Sequence, residues 1–344
     1  SVTAAQGFRA AGVRAGLKAS GKPDLALVIN DGPLDTAAGV FTTNRVVAAP
    51  VVWSRRLLAG QEGGQPGHAR AVVLNSGSAN ACTGAQGLED TEATAAHAAG
   101  LLGAEPGQVL VCSTGVIGQR IDMPVLLEGV DVAALALADT AQAGTDAATA
   151  IMTTDTVSKE DTLTVGAGDQ SWTIGGMIKG VGMLAPGMAT MLAVITTDAV
   201  LIPQQAQDAL TSATTRTVNR INSDGCMSTN DTVLLLASGA SDVTPSQAEL
   251  DEALTEVMSR LGRRLVADAE GATHDIAITV SGAVSEEAAE AAARTVSSSN
   301  LLKCAVAGAD PNWGRILSQL GTVPEDVCPF NPDEVDVAIN GITI

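Results

Sequence analysis

Segments of six or seven residues with apolar centres are set between longer stretches of helical composition, and this alternation restricts the fold most. Residues 24–30 (DLALVIN), 70–75 (RAVVLN), 108–113 (QVLVCS) and 232–238 (TVLLLAS) are strand-length apolar runs bounded by polar or turn residues. Segments 38–44 (AGVFTTN), 47–53 (VAAPVVW), 170–179, 190–195, 275–281 (DIAITVS) and 334–344 also read as strands, Pro50 demoting its own to an edge strand or a strand start. Asp31-Gly32-Pro33 supplies a turn between 24–30 and 38–44. Helical composition predicts helices over 88–103, 203–220, 246–267, 286–296 and 313–321, and two helices within 123–152, opened near Pro124 and separated around Gly144. Ser246 and Glu249 have capping-box spacing. Strands and helices interleave without strict β–α–β regularity, and many strands carry Ser and Thr. The pattern implies α/β or α+β layers rather than a doubly wound dinucleotide-binding sheet. A domain break is expected around 239–244 (GASDVT), leaving a core over 1–238 and a smaller C-terminal α/β domain over 239–344.

A chain of 344 residues can bury a large core, and with 46% apolar residues but only 2% aromatics and no tyrosine that core is built from Ala, Val, Leu and Ile. The net charge of −19 argues against a nucleic-acid partner, whose phosphates are met by Lys and Arg, and against an anionic membrane surface. Arg9, Arg14 and Lys18 are followed by no apolar stretch of the signal-peptide kind, and the Ala-rich region 131–151 is interrupted by Asp131, Asp139 and Asp146, so a cytoplasmic location is expected. Cys82, Cys112, Cys226, Cys304 and Cys328 are scattered without a CxxC pair, and are expected to be small buried apolar residues rather than disulfides or zinc ligands.

Several chemistries lack support. Gly166-Ala167-Gly168 is a lone GxG, and neither a phosphate loop of the GxxxxGK[ST] type nor a GxSxG elbow is present. His68, His97 and His274 are far apart, ligand clusters are missing, and the acid pairs Glu89-Asp90 and Glu286-Glu287 belong to solvated helix faces. No metal and no cofactor is expected. Hydroxyl chemistry remains. In the stretch 179–198 (KGVGMLAPGMATMLAVITTD), a loop of glycine, proline and small residues runs into a short apolar strand, with Thr190 at the junction. Taken alone, such a threonine is a satisfied hydroxyl at a strand start. Were the chain cut between Ala189 and Thr190, the new α-amine, which titrates near ~7.7–8, could act as the base that a threonine nucleophile needs.

Eight segments, in order, carry a resemblance along essentially the whole chain. They are 7–13 (GFRAAGV), 75–84 (NSGSANACTG), 112–118 (CSTGVIG), 150–156 (AIMTTDT), 188–192 (MATML), 228–232 (STNDT), 270–273 (EGAT) and 310–315 (DPNWGR). Together they resemble the ornithine acetyltransferase / glutamate N-acetyltransferase (ArgJ) family. The resemblance implies a DmpA/ArgJ-like αββα sandwich that cuts itself before the threonine of 188–192, giving fragments 1–189 and 190–344. It further implies an acetyl transfer from N2-acetyl-L-ornithine to L-glutamate, with acetyl-CoA as a possible co-substrate. By the same resemblance Thr190 would be the nucleophile, Thr114 and Gly115 the oxyanion hole, Lys179 the anchor of the substrate carboxylate, Thr153 a further hydrogen-bond partner, and Glu270 the partner of the substrate's cationic group. The cleaved fragments would pair, as α2β2. Gly187 stands where the family often has Asn or Asp, and Cys226-Met227 where Asp-Thr is expected. The family also continues past the position of Ile344 with a tail that reaches the substrate, so either the sequence given is incomplete or that part of the site is missing. An amidase or aminopeptidase with the same kind of nucleophile, and a non-enzymic metabolite-binding protein, are the alternatives.

Overall fold

The computed structural model describes residues 1–185 and 191–344. In chain order the elements are β1 (Phe8–Val13), β2 (Leu25–Asn30), β3 (Thr36–Phe41), α1 (Ala49–Leu58), β4 (Ala71–Ser78), α2 (Gly84–Leu102), β5 (Val109–Val116), α3 (Met123–Ala136) and α4 (Ala141–Ala150). They continue with β6 (Lys159–Val165), β7 (Trp172–Lys179), β8 (Leu192–Thr197), α5 (Pro203–Arg216), β9 (Thr232–Ala237), α6 (Gln247–Ala267), α7 (Glu286–Ser297), α8 (Asn300–Ala307), α9 (Trp313–Leu320), β10 (Ala338–Ile339) and β11 (Ile342–Thr343).

Two sheets form the centre, one ordered β1-β2-β4-β5 and the other β3-β9-β8-β7-β6. Each is mixed: β4 and β5 run parallel, as do β8 and β9, and the remaining neighbours are antiparallel. Strand alternation assigns the faces of the second sheet. Met177, Leu192, Val194, Leu234 and Leu236 join the core of the first sheet, whereas Ile174, Ile178, Ala193, Ile195, Val233 and Leu235 pack with α5 and α6. Helices α1 to α4 pack against the first sheet, so the order of layers is α, β, β, α. Small side chains permit this closeness. A Cβ on Gly12 of β1 would fall 2.0 Å from the Asp146 carbonyl oxygen of α4.

Several sequence expectations are corrected. Residues 47–53 hold no strand: Pro50 sits in the first turn of α1, where its missing N–H costs nothing. The helices of 123–152 separate at 137–140 rather than at Gly144, with Thr140 capping α4 through the Ala143 amide. Residues 275–281 pair with no strand among the described residues. α6 begins with the anticipated capping box but lies on the second sheet against β6, β7 and α5, because Leu250, Leu254, Val257, Leu261 and Leu265 form one buried stripe. The core therefore runs through residue 267 rather than ending at 238. Beyond it, α9 packs against α7 and α8, and Ala288, Ala292, Val323 and Cys328 form a small cluster. Of the five cysteines, all free, only Cys112 and Cys328 are buried; Cys82, Cys226 and Cys304 sit in turns or on an outer helix face.

Candidate active site

Four segments distant in sequence meet at one end of the sandwich. Thr114 lies near the end of β5, paired with Ser76 of β4, and its side chain is buried. Gly115 follows with φ +133°, opposite Gly77, and a Cβ there would fall 2.4 Å from the Gly77 carbonyl carbon. Only glycine fits that close approach. The neighbourhood is tied down by polar side chains. Ser113 Oγ donates to Asn75 Oδ1 at 2.6 Å, and Asn230 Nδ2 donates to the Ala79 and Ser113 carbonyls at 2.6 and 2.8 Å.

Lys179 is the last residue of β7 and occupies the inner face, by the same alternation that buries Met177 there. Its Nζ donates to Thr153 Oγ1 at 2.8 Å and to Thr114 Oγ1 at 3.4 Å, and stands 3.8 Å from Asp155 Oδ2. Only 1% of the residue is exposed. Burial lowers the ammonium to about 8, opposed by the charge of Asp155 and reinforced by Lys159 and Lys18. It is therefore still mostly a cation at neutral pH. Burial alone would raise the Asp155 carboxyl, but the charge of Lys179 and hydrogen bonds from Lys159, Thr153 N and Gly180 N bring it down to about 2. Lys18 completes the group, its Nζ donating to the Pro23 and Met152 carbonyls at 2.8 and 2.6 Å.

Glu270 follows α6 and is exposed. Its Oε1 accepts from Thr154 Oγ1 at 2.9 Å, and its amide donates to the Val181 carbonyl at 2.7 Å, which joins it to both the Thr153 segment and the Lys179 segment. It also lines a cavity of about 690 Å³ between the end of α6, residues 271–280, α7 and α8.

Thr114, Gly115, Thr153, Lys179 and Glu270 thus share one region. Ala189 and Thr190 lie outside the described residues, so the proposed cleavage bond and nucleophile have no structural account here. Next to them in sequence, the Met191 amide donates to Asp231 Oδ1 at 3.1 Å. Asp231 is completely buried, its Oδ2 has no hydrogen-bond partner among the described residues, and burial pushes its carboxyl well above the usual range. Asp155, Lys159, Asp231 and Asp268 were not singled out from sequence. Asp155 and Asp231 do fall inside quoted motifs, which was the available signal. No group of three or more His, Cys, Asp or Glu side chains suited to a metal ion occurs among the described residues.

A buried cation held between two threonine hydroxyls can grip an anionic group, and hydroxyl or amide donors beside it can stabilise a developing oxyanion. The ArgJ family profile matches residues 9–344. The chain belongs to the ArgJ family. The arginine biosynthesis bifunctional protein ArgJ of Bifidobacterium longum is 57% identical over 345 residues, spanning 100% of this chain and 86% of the relative. The protein of the same name from Streptomyces coelicolor is 54% identical over 344 residues, with the same coverage. Among solved structures, the ornithine acetyltransferase of Mycobacterium tuberculosis, complexed with ornithine, is 49% identical at a TM-score of 0.50, covering 56% of this chain and 95% of that one. The ArgJ protein of Bacillus halodurans is 34% identical at a TM-score of 0.50, covering 56% and 94%. The αββα layering is thus the architecture of an ArgJ-family chain. No helix among the described residues is long and apolar enough to cross a membrane.

Proposed function

We propose that this chain is a glutamate N-acetyltransferase of arginine biosynthesis, moving an acetyl group from N2-acetyl-L-ornithine to L-glutamate. The observation that carries this reading is 57% identity, over the whole chain, to a bifunctional arginine-biosynthesis protein. The buried Lys179 beside Thr153 and Thr114 supplies a matching chemistry for an amino-acid carboxylate.

In the proposed reaction the chain first cuts itself between Ala189 and Thr190. The freed α-amine takes the proton of the Thr190 hydroxyl, which attacks the acetyl carbon. Ornithine leaves as the amine, taking up that proton, and the acetyl ester on Thr190 is then attacked by the amine of glutamate. Thr114 and Gly115 face the carbonyl oxygen as charge develops on it, Lys179 and Thr153 hold the substrate carboxylate, and Glu270 pairs with the cationic side chain. Processing is supported by coverage. Two solved relatives align over 56% of this chain while spanning 94–95% of their own length, and 189 of 344 residues is close to that share. The transfer needs no cofactor. Acetyl-CoA as a second acetyl donor, an α2β2 assembly of the fragments and a cytoplasmic location belong to the same proposal.

The test is steady-state kinetics with N2-acetylornithine and glutamate, together with mass spectrometry of the fragment that begins at Thr190. Parallel initial-velocity lines and an acetylated Thr190 are expected. Intersecting lines would refute the acetyl-Thr190 route in favour of a ternary complex, and acetate release at a rate indifferent to glutamate would refute the transfer and favour a hydrolase.

A further inference from the structure

Lys159 opens β6 in a sequence, KED, that reads as a solvated charge run, yet it is 1% exposed. Its Nζ bridges two carboxylates, Asp155 Oδ1 at 2.8 Å and Asp268 Oδ2 at 2.5 Å. Asp155 Oδ1 also accepts from Gly180 N at 2.8 Å and its Oδ2 from Thr153 N at 2.9 Å, so one side of the bridge holds the backbone around Thr153 and Lys179. Asp268 caps the end of α6, two residues before Glu270, and also accepts from the Thr156 amide at 3.1 Å and from the Thr156 hydroxyl. Glu270 closes the ring through Thr154 and Val181.

We propose that Lys159 is a positioning residue that fixes the distance between Lys179 and Glu270, and so selects the length of the amino acid held between them. The proposal rests on the acetyltransferase reading of the site. A buried ion pair is a poor device for stability alone, since apolar side chains of equal volume do as well. Its value is geometric: each carboxylate accepts from a fixed number of donors, and the ammonium joins both at hydrogen-bond distance. A ligand with a carboxylate at one end and an ammonium at the other is then measured against a rigid span, and one additional methylene displaces the far charge.

The experiment uses the full chain with Asp268→Asn, which cuts the arm to Glu270 and leaves the Lys159–Asp155 pair. Expected are a KM for N2-acetylornithine raised about tenfold with kcat lowered less than about threefold, and a preference over N2-acetyllysine, one methylene longer, reduced at least about fivefold. Adding Glu270→Gln should change KM by less than about twofold beyond Glu270→Gln alone, because both substitutions disable one unit. If Asp268→Asn does not fold, Lys159→Arg, which keeps the charge and alters the reach, is read by the same KM and length preference. A folded variant whose KM and length preference both stay within about twofold of the unmutated protein overturns the proposal. Failure of the unmutated protein to transfer acetyl from N2-acetylornithine would instead overturn the acetyltransferase reading.

Discussion

Removing the negative charge of Asp155 while keeping its shape, as Asp155→Asn, should uncouple Lys179 from its charge. The two groups are 3.8 Å apart and buried. At an effective dielectric of about 20, Coulomb attraction over that distance is about 4 kcal/mol. Each pKa unit corresponds to about 1.4 kcal/mol, so even half of that attraction shifts Lys179 by more than a unit. The ammonium sits at about 8 with Asp155 in place, and Lys159 and Lys18 push it further down while Asp231 pushes it up. Without Asp155 it falls below neutrality and the site loses its cation at pH 7.5. On the proposed role of Lys179, carboxylate anchoring in the unmutated enzyme should be present below about pH 8 and lost above it, as the ammonium gives up its proton. In the variant the same loss occurs at least about one pH unit lower, with KM at pH 7.5 raised about tenfold or more. The assay is KM for N2-acetylornithine across pH 5.5–9.5, with thermal melting as a check on folding. A folded variant whose KM rises at the same pH as in the unmutated enzyme would show that Asp155 does not set the charge of Lys179.

Thr190→Ala should run as one intact band on a denaturing gel, while Thr190→Ser should still be cut, since the hydroxyl is retained; normal cutting of the alanine variant would assign the chemistry elsewhere. Gly115→Ala puts a Cβ 2.4 Å from the Gly77 backbone at φ +133°, and should lower stability by about 2–4 kcal/mol, read by denaturant unfolding. The Asp155 carboxyl, depressed from its ordinary 3.8 to about 2, contributes on the order of 2 kcal/mol that is present above pH 4 and lost as pH falls through 2. Acid unfolding of Asp155→Asn should therefore be flatter over that window than that of the unmutated protein.

The sequence made the layered class legible because short apolar runs admit few alternatives, and α6 announced itself through Ser246 and Glu249. Local signals failed where tertiary contacts decide. The run 47–53 suits either a strand or a helix, and Pro50 settles it only once α1 has β5 to pack on, with Trp53 Nε1 and Ser54 Oγ donating to the Val109 and Val111 carbonyls. β1, FRAAGV, lacks both β-branched density and alternation, and exists because small residues let α4 lie close to it. The alternation in 275–281 is strand-like, but a strand needs a neighbour. The proposed site residues were singled out through resemblance alone. Lys159 and Lys179 look like any other lysine in sequence, because nothing local records that a charge will be buried.

The position of β8 has a consequence for the protein's lifetime. In the second sheet, β8 and β9 lie between β7 on one side and β3 on the other. A cut at Ala189–Thr190 would assign β3, β6 and β7 to one polypeptide and β8 and β9 to its partner, so that the products are interdigitated rather than merely adjacent. Separating them means unzipping two full ladders, each flanked by core. Cleavage thus need not loosen the enzyme, but it turns an intramolecular folding problem into a bimolecular one. The molecule can be assembled easily only once: heat-denatured processed protein should recover poorly and in proportion to concentration, whereas the uncut Thr190→Ala chain should regain its fold on cooling at any dilution.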